Sequence, residues 1–241
     1  MFKIQIVALG EWTSNVEIES PFTLKHEAID HEWKEELIQL GWDQGVLSKA
    51  ELKKIRQQTH VIWAEYNVEM SNHCTMNDSD HSHDVQSVTP RAHIDFAQES
   101  ADLLKQLADH ATVLYFDPSM KVLTPSMAKE LIADDPVTLL HMLIDFWGDE
   151  GGMYASGMQV FALPDLKVTG TQPKSATLQA TVFSAAAQMI CEKLQLTVGE
   201  SFRASESFPW FEITDWVLQD HSDEAETENP YGVLHLHLKS S

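Results

Sequence analysis

Hydrophobic positions in the first half of the chain follow the two-residue period of β-strands at three places. Residues 2–9, FKIQIVAL, alternate apolar and polar side chains, and their second face also becomes apolar towards the end. Residues 59–70 are rich in β-branched and aromatic side chains. Residues 112–116, TVLYF, are an apolar run closed by Asp117-Pro118. The pattern predicts three strands, of which the third is buried.

Helix signals lie between the first two of these strands. Asp30 is a candidate N-cap for a short helix that has Gly41 as its predicted end. Ser48 and Glu51 have the spacing of a capping box, and Leu47 and Leu52 occupy the two flanking hydrophobic positions. The spacing predicts a second helix over about 49–57.

Two more helices are predicted in the middle of the chain. After Pro90, apolar residues recur at helical spacing from Ile94 to Ala111, with charged residues on the opposite side, which is typical of a helix packed on a sheet. Thr124-Pro125 has the pattern of an N-cap followed by proline at the first helical position. Residues 134–136, Asp-Asp-Pro, are the predicted end of that helix.

The last part of the chain combines strands with one long helix. We interpret 137–147, VTLLHMLIDFW, as a strand, because the turn at 148–152 leads into the extended pattern of 153–168 and the two segments would form a hairpin. Residues 176–194 predict a buried helix, capped by Ser175, because they are apolar nearly all round. Residues 208–219 and 231–239 predict two paired strands.

These elements predict an α+β fold with a mixed or antiparallel sheet and helices packed on one side. We expect a single domain over 1–241. Units of strand, helix and strand recur near 59–116 and 153–204, so two similar halves, 1–118 and 119–241, are an open alternative.

The order of features between about 60 and 205 resembles an uncharacterised bacterial family, the domain of unknown function 4261. The similarity is carried by the helix followed by Thr112–Pro118, by the apolar segment 137–147, and by Ser156–Leu166, which is similar to that family's Gly, Phe-Gly and Pro-Asp-Leu pattern. Ala162 stands where the family usually has glycine. The resemblance implies an α+β fold of bacterial origin, and it transfers no catalytic residue and no ligand.

Charge narrows the function classes. The chain has 37 acidic and 16 basic residues, a formal net charge of −21. A field of this sign repels nucleic-acid phosphate and anionic lipid headgroups, so we expect neither nucleic-acid nor membrane binding. An acidic surface suits a basic protein partner, and it also keeps a protein soluble. The sequence leaves the oligomeric state open.

Location is inferred from three further observations. The N-terminal residues lack the features of a secretory signal, no apolar run has the length of a membrane helix, and the two cysteines stand far apart. We therefore expect a cytoplasmic protein in a reducing compartment.

Residues 72–84, NHCTMNDSDHSHD, are the candidate metal site. His73, Cys74, His81, His83 and Asp84 are competent ligands, and His81 and His83 would point to one side of an extended chain. Structural zinc sites usually bring two close ligand pairs with cysteine dominant, whereas polar residues surround these histidines as in a solvated loop. No cofactor is expected, and zinc or another divalent metal at this segment is the open alternative.

Other chemically competent residues have structural interpretations. His235 and His237 alternate with leucines, which is typical of the solvent side of a half-buried strand. Cys191 is predicted to lie in a buried helix and His141 in an apolar strand. Trp210, Phe211 and Trp216 are the candidate contact patch, with burial as the alternative.

The common catalytic motifs are missing. The two-glycine stretch 152–157 lacks the Lys and Ser or Thr of a phosphate loop, and neither a nucleophile elbow nor a dinucleotide fingerprint occurs. The sequence therefore favours a non-catalytic binding module with an acidic surface. A metal-binding protein or metal-dependent enzyme using 73–84 is the alternative hypothesis.

Overall fold

The computed structural model describes residues 2–12, 18, 20–68, 91–132, 134–161, 163–170, 175–192, 194–217, 229 and 231–239. The described elements form two β-sheets that follow one another along the chain, with six α-helices.

The first sheet has five strands, and every neighbouring pair is antiparallel. Their order across the sheet is β2-β3-β1-β4-β5. The three strands predicted from the hydrophobic pattern are confirmed as β1, β3 and β4. The strands are β1 (Phe2–Gly10), β2 (Thr23–Ala28), β3 (His60–Val68), β4 (Ala111–Phe116) and β5 (Lys121–Leu123).

Both faces of the first sheet carry helices. One face contributes Ile6 and Ala8 of β1 to a core with helix α3 (Arg91–Ala108). The other face contributes Val7 and Leu9 to a separate cluster with helices α1 and α2. These four residues of β1 are fully buried, because successive side chains of a strand point to opposite faces and both faces are covered.

Caps fix the starts of the two helices on that second face. Helix α1 (His31–Asp43) has Asp30 as its N-cap, whose side chain accepts a hydrogen bond from the Trp33 N–H. Helix α2 (Lys49–Gln57) has the predicted capping box, with Ser48 and Glu51 each accepting a hydrogen bond from the other's backbone N–H. The predicted stop at Gly41 is wrong, because α1 continues through Gly41, which is buried against Leu47.

Two short helices connect the sheets. Thr124 caps α4 (Pro125–Glu130) as predicted. The prediction of a strand over 137–147 is wrong for most of its length, because α5 (Pro136–Leu143) occupies it and only Asp145 onwards is extended. Asp135-Pro136 begins this helix, with the Asp135 carboxylate accepting from the Val137 N–H, and does not end the one before.

The second sheet has six strands in the order β6-β7-β8-β11-β10-β9. Only β8 and β11 run parallel, and the other neighbouring pairs are antiparallel. The hairpin predicted between 137–147 and 153–168 is confirmed for the part formed by β6 and β7, and the predicted pairing of the last two strands is confirmed. The strands are β6 (Asp145–Asp149), β7 (Gly152–Ser156), β8 (Asp165–Thr169), β9 (Ser201–Phe202), β10 (Phe211–Val217) and β11 (Val233–Leu238).

Helix α6 (Ser175–Cys191) packs on one face of the second sheet and buries Val182, Ala185 and Ala186 there. No described helix packs on the opposite face. The α+β class is therefore confirmed. The expected packing of helices on one side holds for the second sheet, whereas the first sheet carries helices on both.

Two single-residue interpretations change. Cys191 is exposed because it is the last residue of α6, and His141 is exposed on α5 with its ring 5.1 Å from that of Phe183.

Within the described ranges, no helix combines the length and the apolar character that crossing a membrane requires.

Candidate interaction surface

The uncovered face of the second sheet, which we call the open face, carries a row of residues that are directly opposite one another on five neighbouring strands. Residues directly opposite in a sheet share a face, while the residues between them point into the core. The row consists of Trp147, Tyr154, Lys167, His235 and Asp215.

Polar contacts organise the half of the open face formed by β8, β11 and β10. His235 Nδ1 lies 3.3 Å from an Asp215 carboxylate oxygen. In the next row, the Thr169 hydroxyl lies 2.8 Å from His237 Nδ1. Leu234 and Leu236 of the same strand are buried, so the prediction that both histidines lie on the solvent side is confirmed.

Aromatic rings organise the other half. The rings of Trp147 and Tyr154, here called the aromatic pair, are stacked with centroids 4.1 Å apart and planes 9° from parallel. The Lys167 ammonium lies 5.3 Å from the Tyr154 centroid. The Trp147 indole N–H donates to the Ser156 hydroxyl at 2.9 Å, which fixes the orientation of the ring. Tyr154 is thus enclosed between Trp147 and Lys167.

Trp147 belongs to the edge strand β6, so no described strand lies beyond it. Its side chain is 42% exposed, which leaves the ring face turned away from Tyr154 open to solvent. Asp145 and Asp149 lie two residues before and after it and therefore share its face of the strand. We call Asp145, Trp147 and Asp149 the β6 site.

The two carboxylates of the β6 site have different surroundings. Burial raises the pKa of Asp145, while the positive charge of Lys121 acts in the opposite direction. Lys121 is held by the carbonyls of His141 and Ile144 at the end of α5. Asp149 is exposed, accepts from the N–H groups of the following turn, and lies 3.4 Å from the Tyr154 hydroxyl. The site therefore joins one half-buried and one exposed carboxylate to an aromatic ring.

A second carboxylate anchors the start of β8. One Asp165 oxygen accepts from the Met158 N–H at 3.0 Å and from the Asn229 amide at 2.8 Å. Burial raises the pKa of Asp165 to about 6, although these hydrogen bonds act in the opposite direction. Asn229 also donates to the Leu163 carbonyl, so the pair ties the chain before β11 to β8 and has a structural role.

The candidate contact patch is divided between core and surface. Phe211 is fully buried opposite Phe202 in β9, which matches the burial alternative. Trp216 is half-buried and its indole donates to the Tyr231 carbonyl at 2.7 Å. Trp210 is 46% exposed, and the Arg203 guanidinium covers its ring at 4.6 Å from the centroid. Trp210 is the member of the three with a surface position.

The candidate metal ligands His73, Cys74, His81, His83 and Asp84 lie outside the described residues. Among the residues that the structure does describe, no three His, Cys, Asp or Glu side chains are grouped in a way that would hold a metal ion. The metal-site hypothesis therefore stays a prediction about 72–84.

Sequence reasoning missed the β6 site because it treated 137–147 as one uniform apolar strand. The available signal was local: Asp145, Trp147 and Asp149 alternate with Phe146 and Gly148, and the turn at Glu150-Gly151 follows directly. That alternation is typical of a short strand with one solvent-facing side. Comparison of the chain with family models, with curated proteins and with solved structures finds no match. The resemblance to the domain of unknown function 4261 accordingly stays a prediction.

Proposed function

We propose that this protein is a non-catalytic interaction module that binds a basic segment of a partner protein at the β6 site. The observation that carries the proposal is the exposed Trp147 ring with a carboxylate on each side of it along an edge strand. An aromatic face attracts arginine and lysine side chains, and nearby carboxylates bind their hydrogen-bond donors.

The molecule uses the same chemistry on itself. Lys167 lies over Tyr154, and Arg203 lies over Trp210, so in both places a cation packs against a ring of this acidic protein. Trp147 has one ring face covered by Tyr154 and the other open. A partner's guanidinium stacked on the open face would extend the series of Trp147, Tyr154 and Lys167 by one group.

Long-range charge supports the same class of partner. A net charge of −21 raises the encounter rate with basic proteins and disfavours acidic ones. Charge alone would attract any cation without selectivity, whereas stacking on Trp147 favours arginine, whose planar group is suited to aromatic faces. We therefore expect arginine-containing segments to bind more tightly than lysine-containing ones of equal charge.

The test is a fluorescence anisotropy titration of labelled deca-arginine and deca-lysine peptides at physiological salt. Trp147→Ala should weaken deca-arginine binding roughly fivefold to tenfold, which is the size of a cation–π contact, and should abolish the preference over deca-lysine. Trp42→Ala is the matched control, because Trp42 is 47% exposed and lies on helix α1, which packs on the first sheet. Equal affinities of the two variants would refute the β6 site and leave only non-selective charge attraction.

The metal alternative has its own test. Metal content is measured by plasma mass spectrometry on untagged protein purified without chelator, beside a variant with His73, Cys74, His81 and His83 changed to Ala. Stoichiometric metal that is lost in the variant would establish a site in 72–84. Background metal in both proteins would leave that segment without a metal role.

A further inference from the structure

The helices on the outer face of the first sheet carry opposite charges. Helix α1 has one lysine against four acidic residues, a net charge of −3. Helix α2 has four basic residues against one glutamate, a net charge of +3. Nine residues of α2 thus hold four of the 16 lysines and arginines of a chain whose net charge is −21. We call these two helices and the loop between them the bipolar hairpin.

Both charged stripes point away from the sheet. On α1, Glu32, Glu36 and Asp43 lie opposite the buried residues at helical spacing, and all three are exposed. On α2, Lys49 and Lys53 are exposed on the side away from the buried Ile55. Because both helices pack on the same face of the sheet, the acidic and the basic stripe lie side by side on one surface of the molecule.

The two stripes do not neutralise each other. Within 30–58, all of which the structure describes, the recorded ion pair is Arg56–Glu35 at 3.3 Å. It lies at the seam between the helices and leaves the outward charges of both stripes unpaired. A shallow concavity of about 400 Å³ runs along α2 beside it, lined by Lys49, Leu52, Lys53, Arg56 and Gln57.

We propose that the bipolar hairpin is the contact surface of a two-fold symmetric dimer of this chain. A two-fold axis places α1 of one copy over α2 of the other and repeats the same contact on the opposite side of the axis. Each acidic stripe then meets the basic stripe of the other copy, and the dimer contains this contact twice, as an isologous interface requires. A second copy carries the same net charge of −21, so the attraction has to come from the local pairing of the stripes. A separate acidic partner fits less well, because it would leave the α1 stripe facing like charge.

This inference goes beyond the β6 site, which lies on the other sheet and does not depend on it. The test is the mass of the protein by sedimentation equilibrium over a range of concentrations, at about 50 mM and about 500 mM salt. We expect a mass near twice 27.2 kDa in at least one of the two salts. Salt screens the attraction between the exposed stripes and also the repulsion between two copies that each carry −21, so the direction of the salt effect shows which of the two is larger. A monomer at every concentration would overturn the proposal.

Charge reversal locates the interface. The variant Lys49→Glu/Lys53→Glu has net charges of −3 on α1 and −1 on α2, and the variant Glu32→Lys/Glu36→Lys has +1 and +3. Each variant therefore has two helices of the same sign and should be monomeric alone. An equimolar mixture should form a heterodimer, because both of its helix contacts then pair opposite charges. Dimers that persist in both separate variants, or a mixture that stays monomeric, would contradict the proposed surface.

Matched variants separate local contact from net charge. Lys105→Glu/Lys239→Glu and Glu130→Lys/Glu206→Lys make the same changes of total charge outside the hairpin. Both should dimerise like the wild type. Far-UV circular dichroism and thermal midpoints verify that the reversed variants fold, which we expect because every substituted side chain of the hairpin is exposed. Loss of the dimer in the matched variants as well would show that total charge, not the hairpin, controls association.

Discussion

Two neighbouring residues of β1, Val7 and Ala8, are both fully buried, whereas two neighbouring residues of β11, Leu236 and His237, differ completely in exposure. The first sheet lies between α3 on one face and α1 and α2 on the other. The second sheet has α6 on one face and presents the open face to solvent. The first sheet is thus an internal layer, and the second sheet has one face on the surface of the molecule.

This difference explains where recognition chemistry can be placed. A strand buried on both faces has to be apolar at nearly every position, so it has no side chain available for a partner. A strand buried on one face can carry a functional group at every second position without disturbing the core. The row from Trp147 to Asp215 consists of such alternate positions, whereas Ile6 to Leu9 of β1 are all buried.

The largest effect should come from shortening a side chain in the internal layer. Leu9→Ala removes a fully buried side chain under α1 and α2, and we expect a loss of about 2–5 kcal/mol in the free energy of unfolding. His237→Ala, on the open face, should change it by less than about 0.5 kcal/mol. Urea denaturation at 25 °C measures both. Similar losses would mean that the open face is covered by another part of the protein.

A smaller effect should come from the carboxylate at the start of β8. The pKa of Asp165 is about 6 in the folded protein and near 3.9 in the unfolded chain, so the folded state retains its proton as pH rises through this window. The unfolded state then binds fewer protons, and stability falls between about pH 4 and pH 6 by up to about 3 kcal/mol. Asp165→Asn should remove this fall and be more stable than the wild type at pH 8.

The control for that titration is Asp215→Asn. Asp215 lies on the open face and is exposed, so this control sets the loss of an exposed carboxylate against the loss of a buried one. Denaturation curves of the three proteins are compared between pH 4 and pH 8. If Asp165→Asn keeps the slope of the wild type, another group is responsible for it.

The smallest effect concerns the cap that holds α2 over the internal layer. Ser48→Ala removes the acceptor for the Glu51 N–H and should cost about 1 kcal/mol. Ser205→Ala is a suitable control, because Ser205 is an exposed serine outside any helix. Thermal melting reports both. If Ser48→Ala lowers the free energy of unfolding no more than Ser205→Ala does, tertiary packing alone determines the start of α2.

Local signals in the sequence predicted many of the elements. Asp30, Ser48 and Thr124 each accept the backbone hydrogen bond expected of an N-cap, and those helices begin where the caps place them. Residues 137–143 show where such reasoning fails. A short segment that is apolar at nearly every position has no period to read, so composition alone does not distinguish helix from strand. Asp135-Pro136 decides the matter, because it starts α5, whereas its sequence pattern predicts the end of the preceding helix.

The candidate sites also divide into those that local sequence patterns predict and those that depend on the pairing of distant strands. The alternation of His235 and His237 with leucines predicted their solvent side, because exposure in a strand depends on a local two-residue period. The row from Trp147 to Asp215 had no such signal. It requires β8 to pair with β11 in parallel, bringing Lys167 beside His235 across 68 positions of sequence.

The caps, most strand positions and the opposite charges of α1 and α2 can be read from the sequence, because each depends on residues a few positions apart. The acidic net charge can be read from it too, because it is a sum over the composition. Tertiary structure alone decided that the first sheet is covered on both faces and the second on one, and that Trp147 stands at an edge with carboxylates beside it. These properties depend on which distant segments pair and pack, and that choice is made by the total burial of apolar surface over the whole chain.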